Sequence, residues 1–490
     1  MDRQQMSSII NSVRKIMRKD PNLDTDVKRM PMISWLFFLK ALDDMEIEKK
    51  GKAEFKGEKF YPTIDKPYRW RDWAADESGM TGDDLLHFIN NDLLPYMKRL
   101  SGGKNGGRER IASLFMEVNN EARNGYLLKD VINQINKINF NTSDDIHTLS
   151  HLYESMLKDL RDAAGQNGEF YTPRPAVRFI VEMIDPKIGE TVLDPAAGTC
   201  GFLVEALFYL EKQVKSVEQR RILQEETLFA REKKPMPFLL GMMNLILHEL
   251  DNPNYIRTNS LAINLNDITD AQRVDVIITN PPFGGEEEAS IKTGFPPDKR
   301  TAETALLFIQ LIMRLLKRPK KNATGGRCGM VVPNGFLFGD GVCTTIKKQI
   351  LKECNLHTIV RLPNGVFSPY TSIPTNLVFF DYGKPTKGIW FYEMPMPENL
   401  KNGYTKTKPQ KFEEYEPIAE WWKNREENEH VWFVKREKLD ENLNLDLKNP
   451  NAPEGLETRP PEELLAGIAE KEAKIALLID EIKTELEART

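Results

Sequence analysis

The sequence lacks the features that mark secreted, membrane-spanning and metal-binding proteins. Its 490 residues include only four cysteines, with no Cys-x-x-Cys spacing, which indicates reduced thiols rather than disulfides or a metal cluster. No apolar run is long enough to span a bilayer, and the first residues lack the charged-then-apolar form of a signal peptide. None of the six histidines stands in a metal-ligand pattern. These absences predict a cytoplasmic protein without a metal ion.

Two further absences bear on nucleic-acid functions. The net charge is −5, whereas affinity for duplex DNA comes mostly from neutralisation of phosphates by Lys and Arg. We therefore expect the chain to bind DNA weakly unless a local basic strip or a partner helps. Residues 98–110 and 317–321 are candidate strips, although both are more typical of solvated loops or helix ends. The chain has no Gly-x-x-x-x-Gly-Lys-Ser/Thr loop, so ATP-driven translocation would need another subunit.

A stiff polar turn follows an apolar run at residues 274–279 that predicts a buried strand. The turn reads Asn280-Pro281-Pro282-Phe283, and its prolines cannot continue a strand ladder. Open α/β sheets bind ligands at the carboxyl ends of their strands. Asn280 offers an acceptor oxygen and Phe283 a flat face, which suits a planar amine such as that of a nucleobase. The alternative is a proline-rich turn whose Phe packs into the core.

Small residues form a second motif, between a short strand and a helix at residues 191–207. The loop contains Asp194, Ala196, Gly198, Thr199, Cys200 and Gly201. Such a loop lets the backbone approach a ligand closely. It is not the dinucleotide fingerprint Gly-x-Gly-x-x-Gly. Cys200 is interpreted as a tolerated small residue rather than a nucleophile.

Two shorter motifs accompany the small-residue loop. Upstream, Thr172 is a predicted N-cap and Pro173 a predicted first helical residue, which by themselves indicate only a well-capped helix. Downstream, Glu232 ends an apolar segment one β-α unit after the loop, where an acidic residue commonly holds a ribose hydroxyl pair. Taken alone, Glu232 is also typical of a surface position.

The order of these motifs resembles that of an amino-group DNA methyltransferase acting on adenine N6, and in particular the modification subunit of type I restriction–modification systems. Residues 243–248, 329–338, 359–367 and 375–380 resemble later segments of that family. The resemblance implies S-adenosyl-L-methionine as cofactor and an adenine flipped out of double-stranded DNA. It also implies a specificity subunit with a second copy of this chain, and a restriction/translocase subunit in the full complex. RNA or protein-glutamine methyltransferases, and a non-catalytic cofactor-binding scaffold, stay open as alternatives.

The resemblance also assigns the site residues. The implied catalytic residues are Asn280, Pro281, Pro282 and Phe283. The implied cofactor-binding residues are Glu169, Phe170, Tyr171, Thr172, Pro173, Arg174, Asp194, Ala196, Gly198, Thr199, Cys200, Gly201 and Glu232.

The patterns predict an α/β fold, with a Rossmann-like doubly wound sheet between an N-terminal helical domain and a C-terminal helical tail. We expect boundaries near residues 150 and 400. Residues 33–42 and 111–118 should be helices, residues 284–300 a mobile loop beside the Asn280 turn, and residues 303–316 an amphipathic helix. The tail from Pro460 has a narrow apolar stripe that suits either a partner subunit or its own chain.

Overall fold

A computed structural model of the chain describes residues 3–102, 107–140, 172–250, 253–320, 325–368, 371, 373–397, 400, 403–405, 407–451 and 472. Glu169, Phe170 and Tyr171 lie outside the described residues, as does nearly all of the tail from Pro460. In the described part of the chain, no helix is long and apolar enough to cross a membrane.

The N-terminal part of the described chain is helical. Its helices are α1 (Arg3–Met17), α2 (Asp26–Lys56), α3 (Trp70–Trp73), α4 (Gly82–His87), α5 (Leu94–Lys98), α6 (Gly107–Phe115) and α7 (Gly125–Ile135), with a π-helical turn at Phe88–Leu93. Residues 32–46 of α2 are all buried, because α2 packs against α1, α3 and α7. The predicted helix at 33–42 is therefore confirmed, whereas α6 ends three residues before the predicted limit of 118.

The charged side chains in the buried part of α2 have polar partners, and three of them, Lys40, Asp43 and Asp44, form ion pairs. Lys40 Nζ lies 2.6 Å from Asp44 Oδ1, and Asp44 Oδ2 also accepts a hydrogen bond of 2.9 Å from the backbone N–H of Phe140. Asp43 pairs with Arg71 at 2.9 Å. Because a buried charge is tolerated only with a partner, these contacts fix the helix within the domain.

The remaining part of the described chain forms a nine-stranded sheet with helices on both faces. The strands are β1 (Val192–Asp194), β2 (Leu228–Glu232), β3 (Asn254–Arg257), β4 (Val276–Thr279), β5 (Arg327–Pro333), β6 (Cys354–Arg361), β7 (Thr375–Tyr382), β8 (Gly388–Glu393) and β9 (Val431–Lys435). The helices are α8 (Arg174–Ile184), α9 (Gly201–Glu211), α10 (Val217–Ile222), α11 (Pro235–Leu247), α12 (Ala289–Lys292), α13 (Thr304–Leu315), α14 (Asn334–Phe338), α15 (Val342–Glu353) and α16 (Glu416–Lys423).

The strand order is β3-β2-β1-β4-β5-β7-β6-β8-β9. Strands β3, β2, β1, β4 and β5 are parallel, and β7 runs antiparallel between β5 and β6. Side chains of each strand alternate between two cores, so that Val276 and Ile278 belong to one core and Ile277 to the other. The predicted α/β sheet with an N-terminal helical domain is confirmed.

Three expectations differ from the structure. The helix predicted at residues 303–316 is present as α13, but no broad face of it meets solvent, because it packs between β5 and α15 and every residue except Arg314 is buried. Residues 284–300 were predicted as one loop, but they contain α12 and a 3-10 turn at Pro297–Lys299, and Phe295 is packed in a core. The sheet also continues past residue 400, since β9 pairs with β8.

Several basic side chains of the two candidate strips make internal contacts. Lys317 pairs with Asp275 at 2.6 Å, and the Arg318 guanidinium lies 3.8 Å from the centre of the Tyr382 ring. Arg108 pairs with Asp65 at 2.7 Å. These side chains support the fold locally, as expected of loops and helix ends.

Two ion pairs with the same i,i+4 spacing on α2 give a test of burial. Lys40→Met should lower the free energy of unfolding by about 3–5 kcal/mol, because Asp44 would stay buried without its cation. Lys52→Met, which removes a pair with Glu48 whose side chains are 64% and 46% exposed, should cost less than about 1 kcal/mol. Urea unfolding of both variants measures the difference, and equal losses would contradict the argument.

Candidate active site

The carboxyl ends of β1 and β4 lie side by side at the point where the strand order reverses. Leu193 of β1 is paired with Ile277 of β4, so the loops that follow the two strands face each other across a crevice. A cleft of about 730 Å³, part of it open to solvent, occupies this position. Its lining comes from the loops after β1, β2, β3 and β4 and from α13.

The Asn280 turn is fixed from two directions. Asn280 Nδ2 donates a hydrogen bond of 2.9 Å to Thr172 Oγ1, and Thr304 Oγ1 donates one of 3.1 Å to the Pro282 carbonyl. Asn280 Oδ1 is buried, and no described residue donates a hydrogen bond to it. The Asn280 amide therefore presents an unused acceptor.

Phe283 contacts a second aromatic side chain at this turn. Its ring is half-buried. It makes an edge-to-face contact with the ring of Phe367, with centroids 6.3 Å apart and planes inclined by 61°. Phe367 itself is buried. Phe283 is therefore only partly packed into the core, whereas the alternative interpretation expected it to be buried there.

The small-residue loop is supported from beneath by Asp194. Its Oδ1 accepts hydrogen bonds from Thr279 Oγ1 at 2.7 Å and from the Ala196 N–H at 3.1 Å. Burial raises the pKa of the Asp194 carboxyl to about 7. Asp194 thus ties the loop after β1 to the end of β4.

The loop bends through two residues with positive φ. These are Gly198, with φ of 53°, and Cys200, with φ of 62°. Gly201, which starts α9, does not have positive φ. Burial raises the pKa of the Cys200 thiol well above its ordinary value, which agrees with a packing role rather than a nucleophilic one. Across the described residues the four cysteines are buried and free.

Residues that the sequence analysis missed hold this loop from behind. Tyr255 Oη donates a hydrogen bond of 2.8 Å to the Gly198 carbonyl, and Asn244 Nδ2 donates one of 2.9 Å to the Thr199 carbonyl. A Cβ atom at Gly241 of α11 would lie 2.7 Å from the Gly198 carbonyl oxygen. A lone glycine inside the apolar pattern of α11 was the available signal, since such a residue often marks a close approach.

Glu232 closes the loop on its open side. Oε2 accepts a hydrogen bond of 3.0 Å from the Gly198 N–H, and Oε1 accepts one of 2.7 Å from the Lys234 N–H. Burial raises the pKa of the Glu232 carboxyl. Because each carboxylate oxygen can accept more than one hydrogen bond, Glu232 keeps acceptor capacity towards the cleft.

Helix α8 starts one residue later than expected. Pro173 is the N-cap, and no side chain caps the helix, because a proline side chain has no acceptor. The Thr172 hydroxyl instead accepts a hydrogen bond from Asn280. Arg174 Nη1 donates a hydrogen bond of 3.1 Å to the Gly201 carbonyl. The start of α8 therefore touches both the Asn280 turn and the small-residue loop.

The structure brings some of the predicted site residues together and buries others. Ala196, Glu232, Asn280 and Pro282 line the cleft, whereas Asp194, Thr199 and Cys200 are buried. The sequence analysis missed lining residues that follow β2 and β3 or belong to the chain after the Asn280 turn; these include Lys233, Lys234, Thr258, Asn259, Ser260, Glu286 and Glu287.

The chain after the Asn280 turn is anchored across the cleft by Glu287. This buried carboxylate lies 3.0 Å from Lys233 Nζ and accepts a hydrogen bond of 3.3 Å from Asn259 Nδ2. Residues 284–287 are therefore joined to the ends of β2 and β3, where Glu232 is located.

Comparison with known proteins identifies the family. The profile of the N-6 DNA methylase family matches residues 144–458, and that of the HsdM N-terminal domain matches residues 6–135. The chain belongs to the N-6 DNA methylase family. It is 45% identical over 489 residues to the methylase subunit of the type I restriction enzyme EcoEI of Escherichia coli. The alignment covers 98% of this chain and 97% of the relative.

Solved structures agree with this assignment. A protein from Vibrio vulnificus, described as a modification subunit of a type I restriction enzyme, superposes with a TM-score of 0.87 at 52% identity, covering 93% of this chain and 99% of that one. A chain of a type I restriction–modification system superposes with a TM-score of 0.73 at 41% identity, covering 99% of both. The resemblance to type I modification subunits, drawn from the order of motifs, is confirmed.

The cleft of this methylase suits the cofactor of S-adenosylmethionine-dependent enzymes. Glu232 offers carboxylate acceptors at one end, and Pro195 and Ala196 of the small-residue loop line the cleft beside it. In the part of the chain that the structure describes, no group of three His, Cys, Asp or Glu side chains could hold a metal ion.

Gly241 gives a test of the loop's support. Gly241→Ala should displace the loop, because the new Cβ would meet the Gly198 carbonyl at 2.7 Å. We expect about ten-fold weaker binding of S-adenosylmethionine in titration calorimetry. The control is Gly51→Ala, where a Cβ meets nothing within 4 Å and affinity should not change. Unchanged affinity in folded Gly241→Ala protein would show that the loop does not bind the cofactor.

Proposed function

We propose that this chain transfers a methyl group from S-adenosyl-L-methionine to N6 of an adenine in double-stranded DNA, as the modification subunit of a type I restriction–modification complex. The observation that carries the proposal is Asn280 Oδ1, a buried acceptor without a partner among the described residues. It belongs to a residue that lines the same cleft as Glu232 and Ala196.

The proposed chemistry follows from the nature of the adenine amine. Its nitrogen lone pair is delocalised into the ring, so the amine is a weak nucleophile. Asn280 Oδ1 and the Pro281 carbonyl would each accept one of its N–H groups. Two fixed acceptors favour the tetrahedral nitrogen and stabilise the positive charge that develops as the methyl group arrives. The Pro282 carbonyl is already engaged by Thr304, which favours Pro281 as the second acceptor.

The bound cofactor supplies the reactive methyl group, and the protein supplies binding and alignment. We assign Glu232 to the ribose hydroxyls and the loop around Gly198 to the amino-acid end of the cofactor. Asp194, Thr199 and Cys200 are buried and would act by shaping that loop. The other assigned cofactor residues are Glu169, Phe170, Tyr171, Thr172, Pro173, Arg174, Ala196 and Gly201.

An adenine inside duplex DNA cannot reach this cleft, so we propose that the base is flipped out. The half-buried ring of Phe283 has an edge contact with Phe367, which would hold its plane in place for stacking. Stacking of a base on an aromatic ring contributes roughly 1–3 kcal/mol.

We also propose that sequence choice belongs to other polypeptides. A net charge of −5 does not favour strong binding to DNA phosphates. A specificity subunit, with a second copy of this chain, would select the DNA site, and a restriction/translocase subunit would complete the complex. The relatedness to type I methylase subunits over almost the whole chain supports this arrangement.

Asn280→Ala should reduce methyl transfer by about 10²–10³-fold while leaving the affinity for S-adenosylmethionine unchanged, because the lost acceptor serves the base. Transfer of tritiated methyl groups to DNA, RNA and protein acceptors, with identification of N6-methyladenine, measures the effect and separates the alternative substrates. Asn424→Ala, at an exposed residue, is the control. Retention of more than about a tenth of the activity would contradict the role of Asn280.

The isolated chain should bind S-adenosylmethionine but show only weak, salt-sensitive and sequence-indifferent binding to DNA. Removing residues 460–490 should leave cofactor binding intact and prevent assembly with the specificity subunit. Gel filtration and gel-shift titrations of the full-length and truncated proteins, with and without that subunit, test both expectations. Tight sequence-specific binding by the isolated chain would overturn the assignment of partners.

A further inference from the structure

The segment of residues 284–287 lies along one wall of the cleft and is joined by a side chain to the opposite wall. All four residues line the cleft beside the Asn280 turn. The Glu287 carboxylate lies 3.0 Å from Lys233 Nζ, at the end of β2, and accepts a hydrogen bond of 3.3 Å from Asn259 Nδ2, after β3. The two walls are therefore connected through one carboxylate.

This connection is the main attachment of an otherwise exposed stretch of chain. Of residues 284–290, all of which the structure describes, only Glu287 is buried. Its partner Lys233 has a side chain that is 53% exposed. An ion pair with one partner in water is weak. The contact can therefore break without disturbing a hydrophobic core.

The other side of the segment is built to rotate. A Cβ at Gly284 would meet nothing within 4 Å, and Gly285 has a φ of 115°, a value that favours glycine. Glu286 is joined by an antiparallel bridge to Glu303, the N-cap residue of α13. The segment thus stays attached to α13 when the Glu287 contact opens.

We propose that residues 284–287 form a strap that closes over bound S-adenosylmethionine, and that the ion pair of Glu287 with Lys233 controls how fast the cofactor enters and its product leaves. The inference rests on the proposed function, which places the cofactor in this cleft. Lys233 directly follows Glu232, the residue assigned to the ribose, so breaking the ion pair opens the cleft at the cofactor.

The chemistry of the cofactor requires such an opening in every turnover. Loss of the methyl group converts its sulfonium into a thioether, and this spent molecule must leave before the next cofactor binds. Many enzymes meet this need with a loop that opens and closes over the site. A strap held by a partly hydrated ion pair opens more readily than a wall packed into a core.

The first test removes the charge of Glu287 but keeps its shape. In full-length Glu287→Gln protein, the association and dissociation rates of S-adenosylmethionine should both rise about five-fold, because the strap is open for a larger fraction of the time. Rapid filtration with tritiated cofactor measures both rates. Glu288→Gln, which removes the same charge from an exposed neighbour, is the matched control and should exchange cofactor at the wild-type rate.

A charge exchange separates the strap from a direct contact with the cofactor. Lys233→Glu alone should accelerate exchange, whereas Lys233→Glu combined with Glu287→Lys should restore slow exchange, since the ion pair is formed again with its charges reversed. A combined variant as fast as Glu287→Gln would overturn the inference. So would a rise of the dissociation rate alone, which is expected of a side chain that binds the cofactor itself.

Salt gives an independent readout of the same contact. Because salt screens a half-exposed ion pair, raising its concentration should accelerate cofactor exchange in the wild-type protein and have little effect on Glu287→Gln. Equal acceleration of both proteins would contradict the role of the ion pair.

The proposed function can fail separately, because these measurements need no methyl acceptor. Transfer to an RNA or glutamine amine instead of adenine would overturn that function and leave the strap in place. A full-length chain that does not bind S-adenosylmethionine would overturn both.

Discussion

The pairing of β1 with β4 is the contact on which the rest of the site depends. These strands are distant in sequence but parallel neighbours in the sheet, so the residues that follow them emerge at the same edge. The Thr279 hydroxyl and the Asp194 carboxyl, at the last positions of the two strands, are joined by a hydrogen bond of 2.7 Å. A change of register between β1 and β4 would separate the small-residue loop from the Asn280 turn, since each step along a strand moves a side chain by about 3.3 Å.

The buried face of the small-residue loop is as constrained as its open face. Gly241 of α11 comes so close to Gly198 that no side chain fits between them, and Tyr255 and Asn244 bind the loop carbonyls from the same side. Helix α11 also packs against α2 of the N-terminal domain. The helical domain is therefore in contact with the element that supports the proposed cofactor loop.

The sheet, the order of the motifs and the position of the Asn280 turn could be predicted from the sequence, because strand periodicity and proline stereochemistry are local properties. The burial of α13 on all its faces could not be predicted, since an apolar stripe does not reveal that a helix is also covered on its remaining faces. The structured stretch after the Asn280 turn was missed because Phe295 belongs to a core that several separate elements build, which a polar local pattern does not reveal. Thr172 shows the same limit: its local pattern predicts a helix cap, whereas a residue 108 positions away takes its hydroxyl.

Asn280 Oδ1, which has no donor among the described residues, has a consequence for the binding of an amine. An acceptor that is buried without a donor costs a folded chain roughly 1–3 kcal/mol, and the hydrogen bonds of Thr172 to Asn280 and of Thr304 to Pro282 hold the turn in place. A ligand N–H group that reaches Oδ1 would remove the cost. Part of the affinity for an amine would then come from the protein itself, because the ligand N–H group removes the cost of burying Asn280 Oδ1 without a donor.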